Sequence, residues 1–400
     1  MPGLHATLSA SSAKRWMSCP PSARLEERLH GIFGEQSSPF AAEGTLAHAV
    51  GELKLLRAKG KLGDEDGINE FNYQERRKAL GSISKEIDDC TDYYAELVTE
   101  KYITARKVSP DAKLFVEYRL DFGKWVPEGF GTADALIVSD ATLEVCDYKH
   151  GKGVPVSAVD NPQARCYGLG AIAAFGDLYG FTHVRNTIIQ PRLDSVTEET
   201  LGRVDLLDWG TNQLKPAAEQ AWKGKGEFNP GDHCRFCAAR AICSARAAKA
   251  MSIFKHGFDA PGVLPDEEIP NILPVLDVAE AWIKDLKDYA LNQAKRGQQW
   301  QGYKLVRGKR PPRKWVDEEL CREQLLRAGY SPEQFEDTKL KTVTQLEKVL
   351  GKTAFDALLG RQTMQGDGSL TLVPEDDKRV EYSSADADFS DLVEDSHYAG

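Results

Sequence analysis

Gly131-Thr-Ala-Asp134-Ala-Leu-Ile-Val138-Ser-Asp-Ala-Thr142-Leu-Glu-Val-Cys-Asp147-Tyr148-Lys149 reads as a strand, a tight turn and a second strand. With Ser139 to Thr142 as the turn, Val138 pairs with Leu143, and the constant pairing sum brings Asp134 opposite Asp147. Cross-strand partners have Cβ atoms about 4.5–5.5 Å apart, where like charges repel. A sheet does not normally keep such a pair unless a cation neutralises it. Alternation puts Asp147 and Lys149 on one face. Two carboxylates and an ammonium then converge on one spot, a set able to hold a divalent metal and activate water.

Outward from the hairpin, a strand is expected at 113–120 before it and, after it, a helix from Pro162, which suits a first turn, to Phe175. A strand at 183–190 and a helix from about 196 to 224 follow. Upstream, a short helix is expected around Trp16, helices at 43–59 and 82–106, and a polar loop over 60–80. The order, helices, three strands, helix, strand, helix, predicts an α/β fold with a mixed central sheet flanked by helices, not a repeating βαβ array. A domain over 1–255, a mainly helical extension over 256–365, with helical segments at 273–296 and 316–362, and an acidic disordered tail over 366–400 complete the expected organisation.

The 400 residues are 41% hydrophobic and 28% charged, ordinary for a globular protein. No signal peptide is visible and no run approaches 18 apolar residues, so a cytoplasmic protein without a membrane span is expected. The net charge of -10 is concentrated: residues 366–400 hold ten acids and two bases, leaving the body at -2. Such a body can bind nucleic acid through a local basic patch.

An isolated Asp-x-Lys is common, but here it joins other residues at chosen spacings. Gln163 and Tyr167 are four apart on one helix face, as are His48 and Glu52 upstream. The ordered set His48, Gly131-Thr-Ala-Asp134, Asp147-Tyr148-Lys149 and Gln163-Ala-Arg-Cys-Tyr167 resembles the RecB-type branch of the PD-(D/E)xK nuclease superfamily, over about residues 9–246, and more narrowly its phage and prophage members. The resemblance implies a restriction-endonuclease-like core. It also implies that His48, Asp134, Asp147 and the Tyr148 carbonyl hold Mg²⁺ or Mn²⁺, in keeping with the preference of such cations for oxygen ligands. Lys149 would then orient water or neutralise developing charge, and Gln163 and Tyr167 would position the DNA backbone or the metal site. Glu117, on the preceding strand, is a further candidate; Glu52 fits a solvated helix face better.

Of eight cysteines, Cys234, Cys237 and Cys243 form Cys-x2-Cys-x5-Cys. Three thiols need a fourth for a Cys₄ cluster, and Cys19, in Trp16-Met-Ser-Cys19-Pro20, is the best candidate. In iron–sulfur members of the branch a lone N-terminal cysteine joins such a trio, so the resemblance implies a [4Fe-4S] cluster. The competitor is structural Zn²⁺, with Cys19 or His233 as fourth ligand. Cys90, Cys146, Cys166 and Cys321 are expected to be structural.

Residues 300–315 interleave Lys304, Arg307, Lys309, Arg310, Arg313 and Lys314 with Trp300, Tyr303 and Trp315. Bases can neutralise phosphates and aromatics can stack on nucleobases; a solvated loop beside a hairpin is the other reading. Gly168-Leu-Gly170-Ala-Ile-Ala173 formally matches a dinucleotide fingerprint but falls inside a helix. The expectation is a metal-dependent DNA nuclease, an exonuclease of phage or prophage recombination in the bacterial host cytoplasm, working beside a single-strand annealing or binding protein. A structure-specific endonuclease and a DNA-binding scaffold with a vestigial site are the alternatives. A DNA-threading homo-oligomer is left open, with no residue pointing to it.

Overall fold

The hairpin forms in the expected register. In a computed structural model, which describes residues 6–33, 39–252, 269–336, 340–364, 366, 368–374 and 379–382, Val138 pairs with Leu143 and Ala135 with Cys146. The chain divides into two compact units, Met1–Trp282 and Ile283–Gly400.

The first unit opens with α1 (Ala13–Ser18), α2 (Ser22–Phe33), α3 (Pro39–Lys61), α4 (Glu70–Ala79) and α5 (Lys85–Val108). There follow β1 (Lys113–Asp121), β2 (Phe130–Val138), β3 (Thr142–Tyr148), α6 (Pro162–Phe175), β4 (His183–Gln190), β5 (Ser195–Gly202), α7 (Arg203–Trp209), α8 (Lys215–Trp222), α9 (Ser244–Met251) and α10 (Ile269–Lys295), the last extending into the second unit. The five strands form one mixed sheet in chain order, with β3 and β4 parallel and the other neighbours antiparallel. The parallel pair requires a crossover, which α6 supplies. Asn161 caps α6 by accepting from the Gln163 and Ala164 N–H groups, with Pro162 in the first turn.

The sheet is sandwiched. On one face, Ala47, Val50 and Leu55 of α3 and Ile87, Tyr94 and Val98 of α5 pack over Ala135, Ile137, Cys146 and Tyr148. On the other, Trp16, Cys166, Leu169, Ile172, Leu206 and Ala218, from α1, α6, α7 and α8, pack over Leu136, Val138, Leu143 and Val145. Cys146, Cys166 and Cys321 are fully buried and Cys90 half-buried, in keeping with structural roles. The two glycines of the rejected fingerprint serve this packing. A Cβ at Gly168 would stand 2.9 Å from Leu206, and one at Gly170 2.9 Å from Leu120, so both let α6 lie close to its neighbours.

Three expectations are corrected. Residues 195–202 are a strand, not the start of a helix: Ser-Val-Thr-Glu-Glu-Thr alternates, and every residue from Ser195 to Gly202 pairs with β4. The polar stretch 60–80 contains α4, started by Asn69 accepting from Asn72 N–H. In the second unit, Leu370–Pro374 forms β9 against β6 (Tyr303–Arg307) inside what reads as a disordered tail; residues 383–400 lie outside the described residues. The second unit also holds β7 (Lys314–Trp315), α11 (Glu318–Arg327), α12 (Pro332–Phe335), α13 (Val343–Leu350), α14 (Lys352–Leu359) and β8 (Thr363–Met364), around a core of Cys321, Leu325, Phe335, Leu346 and Phe355. No helix among the described residues is long and apolar enough to cross a membrane.

Candidate active site

The site forms where the alternation of two strands changes phase. Leu114 and Val116 face α3 and α5, and Phe115 the opposite side; from Tyr118 onward this reverses, Tyr118 and Leu120 facing α6. On β2 the same reversal separates Ala133 from Ala135. Val116 pairs with Ala135 and Tyr118 with Ala133, so Glu117 and Asp134 stand opposite each other at the turning point. Glu117 adopts φ +50°, a left-handed conformation costing a non-glycine residue of order 1–3 kcal/mol. Two carboxylates opposite one another add repulsion.

These two acids meet His48 of α3: one ligand atom from each of His48, Glu117 and Asp134 lies within 4.8 Å of the others. His48 Nδ1 is 3.2 Å from Asp134 Oδ1, while Asp134 Oδ2 accepts from the Tyr148 N–H at 2.7 Å. That bond takes up a β3 donor just past the end of the ladder, two residues beyond Cys146. Asp134 is thus locked by the hairpin it belongs to.

Asp147 sits beside this triad, outside it. It is 4% exposed. Lys149 Nζ lies 2.8 Å from its Oδ2 without the alignment of a hydrogen bond, and Gln163 Nε2 donates to its Oδ1 at 3.2 Å. Gln163 Oε1 accepts from Lys149 at 3.1 Å, and Gln163 Nε2 reaches Tyr167 Oη at 3.5 Å. Asp147, Lys149, Gln163 and Tyr167 therefore form one connected group, as their spacing suggests. Gly131 is what brings Tyr167 there: a Cβ at 131 would stand 2.8 Å from the Tyr167 ring.

Burial, followed by the charge of Asp134, pushes the Glu117 carboxyl from its ordinary 4.5 up to about 7. By surface area Glu117 is exposed, so solvent screens part of this effect; the upward direction rests on its closeness to Asp134, with His48 opposing it. Burial also raises Asp147, with Asp134 adding to it and Lys149 opposing. Burial works against a charged Lys149, yet Asp147 and then Asp134 raise its pKa, holding it as ammonium. Burial likewise opposes a charged His48, but its bond to Asp134 and the charges of Asp134 and Asp147 raise it. Three carboxylates against one permanent cation leave an excess of negative charge, which a divalent ion would relieve. Glu52, by contrast, pairs with Arg76 at 3.3 Å.

Cys19, Cys234, Cys237 and Cys243 line one pocket with Arg15, Arg240, Arg246 and His233. Burial raises Cys19, and the neighbouring Cys234 and Cys243 add to it; burial pushes Cys237 up to about 12. Thiolates form in such a place only with a compensating cation. Among the described residues no three of these thiols lie within 4.8 Å of one another; a single Zn²⁺, with Zn–S of about 2.3 Å, would draw them closer together. His233 Nε2 is 2.9 Å from the Asn229 carbonyl oxygen, a bond that would fix the ring with Nδ1 as its metal-binding atom, so both Cys19 and His233 qualify as fourth donor. Around the pocket Arg15 donates to the Phe236 carbonyl at 3.0 Å, and Glu26 accepts from the Ala238 N–H at 2.7 Å.

Of the basic residues, Arg313 is taken up within its own unit: it pairs with Glu347 and Asp356 and lies over Phe355. Trp315 packs on Phe355 in the core rather than offering a stacking surface, and Trp300 Nε1 donates to the Ala290 carbonyl. Arg307, Lys309, Arg310, Lys314 and Tyr303 are exposed and Lys304 is half-buried.

Among solved structures, one described as the crystal structure of SSO0001 is 13% identical, aligned over 55% of this chain and 94% of that one with a TM-score of 0.22, too low to bear on the fold. A family model described as "Protein of unknown function (DUF2800)" matches residues 5–380, so the chain belongs to the DUF2800 family.

Proposed function

We propose that the protein is a divalent-metal-dependent deoxyribonuclease, an exonuclease of the RecB-type PD-(D/E)xK branch, built on a restriction-endonuclease-like core. The observation that carries this is the convergence of His48, Glu117 and Asp134 beside the linked Asp147, Lys149, Gln163 and Tyr167. The donor set, one imidazole and up to three carboxylates, fits Mg²⁺ or Mn²⁺. A bound cation would lower the pKa of a water and offset charge on the phosphate.

The chain's own residues do the rest. Asp134 is held by the Tyr148 N–H and by His48, so its carboxylate cannot swing away. Lys149, kept charged by Asp147, is suited to steer a water or meet charge growing on a phosphoryl oxygen. Gln163 fixes the Lys149–Asp147 pair by bonding both partners. In the same reading the four thiols of this pocket would hold a [4Fe-4S] cluster, with Arg240 and Arg246 beside them to offset thiolate charge, Arg15 being paired with Glu26. Its place between the early helices and the segment 228–243 suits a staple rather than a catalytic role.

Digestion of end-labelled linear and closed circular DNA with Mg²⁺ or Mn²⁺, wild type beside Asp147→Ala, tests the reading. Degradation of linear DNA alone, abolished by the substitution, is expected. Cleavage of the closed circle would reassign it as an endonuclease, and activity surviving in Asp147→Ala would refute the site.

A further inference from the structure

The segment joining Lys149 to α6, residues 150–161, has no regular secondary structure, yet its backbone is tied down by side chains of two strands. Gln190, the last residue of β4 and 1% exposed, donates from Nε2 to the carbonyls of Gly151 at 2.6 Å and Val154 at 2.9 Å, and accepts from the Val156 N–H at 3.0 Å. From β5, Thr197 Oγ1 accepts from Ala158 N–H and Glu199 Oε1 from Asp160 N–H. One buried amide thus has both its ends satisfied by this segment, as burial of a polar group demands.

The bonding sets which way the peptides face. In a planar trans peptide the carbonyl and the next N–H point in opposite directions. Turning the Gly151 carbonyl inward onto Gln190 therefore turns the Lys152 N–H outward. Lys152 is exposed, has no ion-pair partner among the described residues, and sits between Gly151 and Gly153. A Cβ at either glycine would meet nothing within 4 Å, so the backbone is open to close approach. Three residues along the chain place it at most about 10 Å from Lys149.

Resting on the hydrolase reading above, we propose that Gly151–Lys152–Gly153 is a preformed phosphate-binding corner that grips the nucleic-acid backbone beside the bond to be cut, and that Gln190 is the residue positioning it. The donors are the Lys152 ammonium and its own N–H; the glycines let the phosphate in.

The test uses the full chain, as wild type, Lys152→Ala and Gln190→Met. Affinity for labelled linear DNA is measured by anisotropy across a salt series in Ca²⁺, and steady-state cleavage in Mg²⁺. Lys152→Ala is expected to weaken binding about three- to tenfold and to lower the slope of log K against log salt by about 0.7–0.9, one phosphate contact. KM should rise accordingly, with kcat within about twofold. Gln190→Met, checked for folding by its thermal transition, is expected to raise KM in the same way, and adding Lys152→Ala to it should cost little more. Unchanged affinity and slope in Lys152→Ala, in a wild type that cleaves DNA, would overturn this inference alone; a wild type that neither binds nor cleaves DNA would overturn the hydrolase reading first. If Gln190→Met fails to fold, Lys152→Ala decides.

Discussion

Glu117 concentrates the tension of the site in one residue. It is a left-handed non-glycine residue facing another acid, an arrangement the fold tolerates at a cost. Two substitutions separate cost from use. Glu117→Gln should lower Mn²⁺ affinity at least tenfold, read by titration calorimetry, with stability little changed or improved. Glu117→Gly should remove the backbone strain as well, raising unfolding free energy by roughly 1 kcal/mol while losing the same affinity. The pH dependence follows from its shift. A carboxyl raised from 4.5 to about 7 holds its proton more tightly folded than unfolded, so its stabilising contribution is complete below about 4.5 and is lost as pH rises through about 7. The metal-free protein should therefore show a melting temperature that declines over this window. Saturating Mn²⁺, which needs the ionised ligand, should flatten or reverse that decline. Most of the site is legible from residue spacing: His48, Asp134, Asp147, Lys149, Gln163 and Tyr167 come together. Glu117 is harder to read, because alternation treats it as one more outward strand residue, and nothing in Val-Glu-Tyr announces a change of phase.

Between elements, the important ties are those that fix α6 on the sheet. Arg165 of α6 makes two bonds to Glu199 of β5, at 2.6 and 3.0 Å, and one to Asp160 at 2.6 Å. Burial would raise Glu199, but the Arg165 hydrogen bond and then the Asp160 N–H hold its carboxyl below the ordinary range. Its contribution is thus present above the usual carboxylate pKa and is lost as pH falls through the depressed value. Glu199→Ala should cost about 1–3 kcal/mol, because it leaves a largely buried guanidinium with only the exposed Asp160 as ion-pair partner, and chemical denaturation would measure it. Strand β5 itself is where sequence reading failed. Its Val, Thr and Leu suit a strand, yet the acids between them and the helices after Gly202 blur the period; only pairing with β4 decides the matter. The same holds for β9, whose Leu-Thr-Leu-Val is too short to stand out from acidic surroundings and is fixed by β6. The hairpin needed no such help, since its turn sets the register.

At the scale of the molecule, the second unit divides its basic residues between structural and exposed positions. Charge reversal of Lys309 and Arg310 is expected to weaken DNA binding and its salt slope, whereas Arg313→Glu, which sets like charges against Glu347 and Asp356, should destabilise the second unit by about 1–3 kcal/mol. Circular dichroism melts beside binding isotherms would distinguish the two; loss of binding by a fully stable Arg313→Glu would contradict the assignment. Protein purified without oxygen should absorb near 400 nm and carry iron, and Cys19→Ser should lose both; stoichiometric zinc in a colourless protein would refute the cluster. The contacts around that pocket also impose an order of events during synthesis. Arg15 reaches Phe236 across 221 residues and Glu26 reaches Ala238 across 212. A chain still on the ribosome can build its sheet, but it cannot gather the four thiols until Cys243 has emerged, so any metal held by all four could enter only once nearly the whole first unit has been made.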